Sequence, residues 1–268
     1  MKMRPSRVLR KLRAGENAIS IKLNLADVRV AEIAAMSGFD CIWIDMEHVP
    51  TDWATIENQI RAAKIYDVDT LVRVAKGCYS DYIQPFEADA SGIMVPHLMN
   101  LEEAKQIVHN TRFHPLGRRP VDGGNADGGY CMVEFKDYLK TANEQRFVIV
   151  QIEDPEPLDQ LEEIAKVEGI DMLFFGPGDF SQGIGAPGEW DNPLIAETRK
   201  RIAQVARDNG KFAGTVGGIG NVNELNEMGY QFVSLGADVV ALNQYFKNIT
   251  DTVNSSKSQK QTNLYGKD

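Results

Sequence analysis

Residues 41–48 read CIWIDMEH, an apolar run that ends on Asp45, Glu47 and His48. An imidazole titrates close to neutral pH, so His48 is a natural general base, and Asp45 three residues earlier could orient its ring. Charged groups are costly to bury without partners. A strand that ends this way either runs out into a solvated loop or forms the rim of a site. Other stretches share the pattern. Arg73 lies inside the apolar run LVRV, where a guanidinium near two acids can grip a carboxylate in bidentate fashion. Glu153 caps the unbroken run FVIVQIE, with Gln151 two positions before it. Asp179 sits in the turn GPGDFS, whose glycines, Gly178 among them, let backbone approach a ligand closely. Glu153 and Asp179 together suit a hard divalent cation, Mg²⁺ or Mn²⁺, which takes one or two carboxylates and keeps its other positions for water and substrate oxygens.

The remaining histidines are weaker candidates. His97 follows an apolar strand and could line a pocket, whereas His109 and His114 read as surface or packing residues. Lys22 ends the first apolar strand, and a lysine there could form a Schiff base with a keto group. That reading would leave Glu153 and Asp179 without a purpose.

These residues need elements to hold them. Eight β-rich runs occur, at 18–24, 41–45, 70–74, 92–96, 146–153, 171–176, 212–216 and 231–236. Between most of them lie amphipathic stretches such as DVRVAEIAAMSG and LEEAKQIVHNTR, with apolar positions three and four apart. Near-continuous apolar strands alternating with helices imply a parallel sheet covered by helices. Eight such units predict an α/β fold, a single-domain (β/α)8 TIM barrel over residues 1–254, with catalytic groups at the C-terminal ends of its strands. No GxGxxG follows the first strand and no GxxxxGK[ST] occurs, which weakens an open nucleotide-binding sheet. Segment 113–133 is glycine-rich, carries two prolines and reads as a long functional loop or lid.

Composition narrows the partners. At 268 residues and 43% hydrophobic content the chain can bury one large core. A net charge of −9 argues against nucleic acid or an anionic membrane. Three scattered cysteines without CxxC spacing, and no signal-like or bilayer-length apolar run, point to a cytoplasmic protein with reduced thiols. The basic start MKMRPSRVLRKLR reads as a short solvated amphipathic helix at the barrel bottom rather than a membrane-surface helix. Residues 255–268 are polar and are expected to form a disordered tail.

The blocks GFDCIWIDMEHVP, LVRV, GIMVPHL, DYLKTANEQ, VQIED and GIDMLFFGPGDFS, with their spacing, resemble the class II pyruvate-dependent aldolases of the HpcH/HpaI type. The resemblance spans about residues 7 to 250 and implies a barrel of the phosphoenolpyruvate/pyruvate type. It implies a carbon–carbon lyase that cleaves a 4-hydroxy-2-oxo acid to pyruvate, or a related 2-oxo acid, and an aldehyde. Glu153 and Asp179 would hold a divalent metal, Mg²⁺ or Mn²⁺ first, with Co²⁺ and Zn²⁺ as further candidates. Arg73 would face the keto oxygen and stabilise the enolate, and His48 with Asp45 would handle the proton. Glu87 would occupy the place of a family acid on the helix after strand 3, and Gln151 would point into the same pocket. The resemblance further implies a homo-oligomer, a hexamer built as a trimer of dimers, that exchanges a C-terminal helix such as 237–253.

Two departures fall on the aldehyde side. Lys22 stands where tryptophan is common, and the loop reads GGNADGGY in place of a basic run. Three rivals stay open: a Schiff-base aldolase through Lys22, a phosphate-binding barrel using TVGGIG and SLGAD, and a non-catalytic ligand-binding barrel. Decarboxylation of an oxaloacetate-type acid is expected as a side activity.

Overall fold

Most of the predicted strands are apolar on both faces along much of their length, and the reason lies in the architecture. The computed structural model, which describes residues 1–255, closes eight parallel strands into a barrel in sequence order. The strands are β1 (Ala18–Leu23), β2 (Cys41–Asp45), β3 (Asp69–Arg73), β4 (Gly92–Val95), β5 (Phe147–Ile152), β6 (Met172–Phe175), β7 (Phe212–Gly217) and β8 (Phe232–Ala237). The helices are α1 (Arg7–Arg13), α2 (Val28–Met36), α3 (Trp53–Ile65), α4 (Tyr79–Glu87), α5 (Leu101–Thr111) and α6 (Phe135–Gln145). After β5 come α7 (Leu161–Ala165), α8 (Pro177–Gly183), α9 (Pro193–Asp208), α10 (Val222–Met228) and α11 (Asp238–Ser255). All eight predicted strands are present, with ends that differ by at most one residue. Of the predicted tail, only Ser255 lies within the described residues, where it ends α11.

Strand alternation sorts the side chains into two layers. One parity, including Ile42, Ile44, Val72, Ile93, Val148 and Val150, packs outward against the helices. The other, including Cys41, Trp43, Leu71, Met94, Phe147, Ile149, Met172 and Phe174, fills the barrel. Continuing the inner parity upward leads to polar residues. Trp43 is followed by Asp45, Leu71 by Arg73, and Ile149 by Gln151 and then Glu153. Ala18 leads through Ser20 to Lys22. The alternation that fills the barrel therefore aims these groups into its C-terminal mouth.

The N-terminal mouth is plugged. Val8, Leu9 and Leu12 of α1 are buried in the same cluster as Trp43 and Phe147. This helix sits at the predicted end of the barrel, but its apolar face is not solvated. Its apolar residues stop the barrel floor, and its basic residues meet acids at the strand starts. Arg4 and Asp69 lie 2.7 Å apart, Arg7 and Asp40 2.9 Å, and Lys11 and Asp40 2.8 Å.

Segment 113–133 is packed at this same N-terminal end and is not a lid over the cleft of its own barrel. It leaves from the foot of α5, so it starts at the face opposite the predicted site. Arg119 and Asp127, both buried, pair at 2.8 Å, and the Tyr138 hydroxyl donates to Asp127 at 2.8 Å. Arg119 also stacks between the rings of Phe86 and Phe113. Across the barrel, α11 runs for 18 residues and buries only Asp238. No helix among the described residues is long and apolar enough to cross a membrane.

Candidate active site

The C-terminal mouth holds a cleft of about 380 Å³ lined by Lys22, His48, Arg73, Gln151, Glu153, Gly178 and Asp179. Trp43 also lines it, and Val216, Gly217, Ser234, Gly236, Ala237 and Val240 complete it. Seven of the nine predicted site residues thus converge. They come from β1, the loop after β2, β3, β5 with its end, and the turn that opens α8.

Asp45 is buried within the cleft's second layer, at the strand end that pairs in register with Arg73. Its two oxygens accept Arg73 Nε at 3.0 Å and Nη2 at 2.6 Å. Lys22 Nζ lies 2.8 Å from Oδ2, and the backbone N–H of Glu47 donates to Oδ1 at 3.1 Å. Burial alone would raise this carboxyl, but the hydrogen bonds and charges of Arg73 and Lys22 outweigh it and hold the pKa at about 2. The structure therefore corrects the expected Asp45–His48 contact. The carboxylate is filled by Arg73, Lys22 and its own loop, whereas the imidazole is exposed and lies 3.5 Å from Glu47.

Arg73 is itself buried, which opposes its charge; Asp45, Glu47 and Glu153 more than compensate and raise its pKa. Glu47 approaches Nη1 at 3.0 Å as an ion pair. Glu153 is fully buried and accepts the backbone N–H of His97 at 2.9 Å. Burial pushes its carboxyl up to about 7; His97 opposes this and the charge of Asp179 adds to it. Gln151 donates to the other Glu153 oxygen, and its own Oε1 is buried without a hydrogen-bond partner. A Cβ on Gly176 would meet that same Glu153 oxygen at 2.5 Å, so only glycine fits there. Gly178, two residues later, faces open space.

This donor set fits a hard cation. Two carboxylates, one pushed toward neutrality by burial, line the cleft, and an amide oxygen unpartnered among the described residues belongs to Gln151, which contacts Glu153. Among the described residues no group of three or more His, Cys, Asp or Glu gathers as a closed cage. Such an arrangement leaves positions for water and substrate oxygens, as Mg²⁺ and Mn²⁺ require.

Glu87 is not part of this cleft. It ends α4, a helix that returns from the C-terminal face, and lines a separate groove of about 370 Å³ with Trp53, Arg61, Asn125 and Tyr130. The structure does not bring it together with the other predicted site residues of its own barrel. Sequence reasoning also passed over residues that matter. Glu47 bridges Arg73, His48 and His97, and its position beside two other predicted residues was the available signal. Trp43 lies beneath two cations, Lys22 at 5.7 Å and Arg73 at 5.1 Å from its ring, and inner parity alone could have placed it. His97, by contrast, is expected to line the pocket from its place after an apolar strand; it lies outside this cleft's lining, pairs with Asp154 at 2.8 Å and gives its backbone N–H to Glu153.

Residues 21–244 match the family described as HpcH/HpaI aldolase/citrate lyase. The chain belongs to the HpcH/HpaI family. It is 34% identical over 235 residues to a 4-hydroxy-2-oxo-heptane-1,7-dioate aldolase of Escherichia coli, covering 86% of this chain and 88% of that one. It is 32% identical over 234 residues to a hydroxypyruvate/pyruvate aldolase of Delftia acidovorans, covering 87% of each. The solved HpcH/HpaI aldolase from Desulfitobacterium hafniense superposes with a TM-score of 0.88 at 25% identity, covering 96% of this chain and 99% of that one. Relatives named as aldolases along most of the chain support a lyase of aldolase type.

Proposed function

We propose that this HpcH/HpaI member catalyses reversible aldol cleavage of a 4-hydroxy-2-oxo acid to pyruvate, or a related 2-oxo acid, and an aldehyde. The observation that carries the reading is the convergence of Arg73, Glu153, Asp179 and His48 in one cleft at the C-terminal mouth. Arg73 presents a buried positive charge to the keto oxygen and stabilises the negative charge that develops there. His48 takes the proton of the C4 hydroxyl. The C3–C4 bond then breaks, the aldehyde leaves, and the electron pair stays on the 2-oxo acid as its enolate, which is protonated at C3. Gln151 and the backbone at Gly178 orient the substrate carboxylate. Glu153 and Asp179 would hold a divalent cation, Mg²⁺ or Mn²⁺ first, which when bound polarises the keto oxygen as a Lewis acid.

Two rivals lose support. Lys22 Nζ is held 2.8 Å from Asp45 Oδ2, so attack on a keto group would first have to break that ion pair. A phosphate at the start of α11 would compete with Asp238, whose carboxylate already accepts the N–H groups of Asn24, Leu25 and Val239. The test is direct: incubate the protein with pyruvate, Mg²⁺ and a panel of aldehydes, and identify 4-hydroxy-2-oxo acids by mass. Products that vanish on chelation support the reading; no product from any aldehyde removes it.

The reading includes a homo-oligomer. Val239, Leu242, Phe246 and Ile249 recur three and four apart on α11 and are all exposed. A helix with such a stripe and almost no contact with its own barrel favours packing on a second copy. Light scattering should give a multiple of the chain mass, and Phe246→Glu should lower it.

A further inference from the structure

Lys22 is the cleft residue to which the proposed chemistry gives no task. Its surroundings supply one. Arg73 faces two carboxylates at once, Asp45 through Nε and Nη2 and Glu47 through Nη1 at 3.0 Å. One guanidinium against two carboxylates leaves a net negative cluster, which the divalent cation proposed at Glu153 and Asp179 would not answer, since it is matched by those two carboxylates. A site so charged repels a 2-oxo acid anion. Lys22 Nζ lies 2.8 Å from Asp45 Oδ2, the oxygen that also accepts Arg73 Nη2. With it, two cations face two carboxylates, and the cluster becomes neutral.

We propose that Lys22 is a positioning residue that shares Asp45 with Arg73 and so leaves the guanidinium effectively cationic toward an anionic 2-oxo acid. The inference rests on the aldolase reading above. Three features of the geometry support it. Lys22 pairs in register with Trp43, and Asp45, the next inward residue on the same strand, pairs in register with Arg73, so β2 carries the link between the two cations. Both cations stand over the ring of Trp43, a buried platform that fixes them on one side of Asp45. The Lys22 side chain is 22% exposed, so it is sheltered without being sealed from the cleft. Lys22 thus acts through Asp45 and Arg73 and need not touch the reacting atoms.

The test uses exchange of the pyruvate methyl protons in D₂O with Mg²⁺, followed by NMR. Pyruvate gains negative charge as it enolises, so Lys22→Met should both raise KM and lower kcat. We expect kcat/KM for exchange to fall about ten- to hundred-fold, the size of one partly screened charge at close range. Lys22→Arg should restore it to within a few-fold, and both variants should melt close to the native protein. Oxalate, a dianion that resembles the enolate, should bind Lys22→Met more weakly by titration calorimetry. If Lys22→Met fails to fold, Lys22→Gln carries the same expectation. Native-like exchange in Lys22→Met overturns the proposal while leaving the aldolase reading intact. A defect confined to cleavage with charged aldehydes also overturns it, in favour of direct contact with the aldehyde. Exchange that survives chelation and is lost equally in Lys22→Arg overturns it in favour of a Schiff base. Absence of exchange in the native protein strikes the aldolase reading instead.

Discussion

The two mouths of the barrel are built from the same residue types and do opposite things. At the N-terminal mouth Asp69 is buried and accepts Arg4, the Ser6 hydroxyl and the backbone N–H of Val8. Asp40 accepts Arg7, Lys11 and the backbone N–H of Ile19. The apolar face of α1 seals the opening above them. At the C-terminal mouth Asp45 and Arg73 are just as buried, but no element among the described residues seals them. The cleft stays open, Gln151 Oε1 has no partner, and burial holds Glu153 near 7. Buried charge that is fully answered by its own chain contributes to specifying the fold. Buried charge left partly unanswered beside open space is available to a ligand.

That contrast can be broken at either end. The largest effect is expected at the sealed end: Asp69→Ala strands Arg4 and the N-cap of α1 and should cost about 3–5 kcal/mol in chemical denaturation. Specific activity of the folded fraction should stay native. At the open end, Arg73→Lys keeps the charge but loses the bidentate grip on Asp45. Turnover should fall about 10²- to 10³-fold, roughly 3–4 kcal/mol of transition-state stabilisation, with a melting temperature near native. Loss of stability without loss of turnover at Arg73 would erase the distinction. Leu9→Ala tests the plug itself, and should cost about 2–4 kcal/mol with no change in KM.

A pH series sharpens the comparison with the smallest effect. The Asp45 carboxyl is depressed from its ordinary 3.8 to about 2. Its contribution to stability is therefore fully present above about pH 4 and lost as pH falls toward 2. The full difference is about 2 kcal/mol. In urea melts across that range Asp45→Asn should show a shallower acid loss than the native protein. An identical slope would mean that Asp45 does not hold Arg73 and Lys22 as described.

Strand parity made much of this legible in advance. Once 41–45, 70–74 and 146–153 are read as strands, Asp45, Arg73, Gln151 and Glu153 fall on the inner face at one end by local arithmetic. Asp179 follows because GPGD directly continues an apolar strand. What failed depended on long-range placement. Whether Asp45 meets His48 or Arg73 is decided by the pairing of β2 with β3, not by the three-residue spacing. Glu87 and segment 113–133 were assigned to the cleft by resemblance and by composition. Helix direction argues otherwise: α4 and α5 run back down the barrel, so their C-terminal ends emerge at the sealed mouth. The plug was half legible, because VLRKL shows its apolar face but not the hole that it fills.

We propose that the open mouth enolises a 2-oxo acid with a divalent cation held by Glu153 and Asp179. Exchange of the pyruvate methyl protons in D₂O, measured with Mg²⁺ and again with EDTA, needs no knowledge of the aldehyde. Exchange is expected with Mg²⁺, stops with EDTA and is lost in Glu153→Gln. Exchange of equal rate in EDTA, or none under any condition, would contradict it.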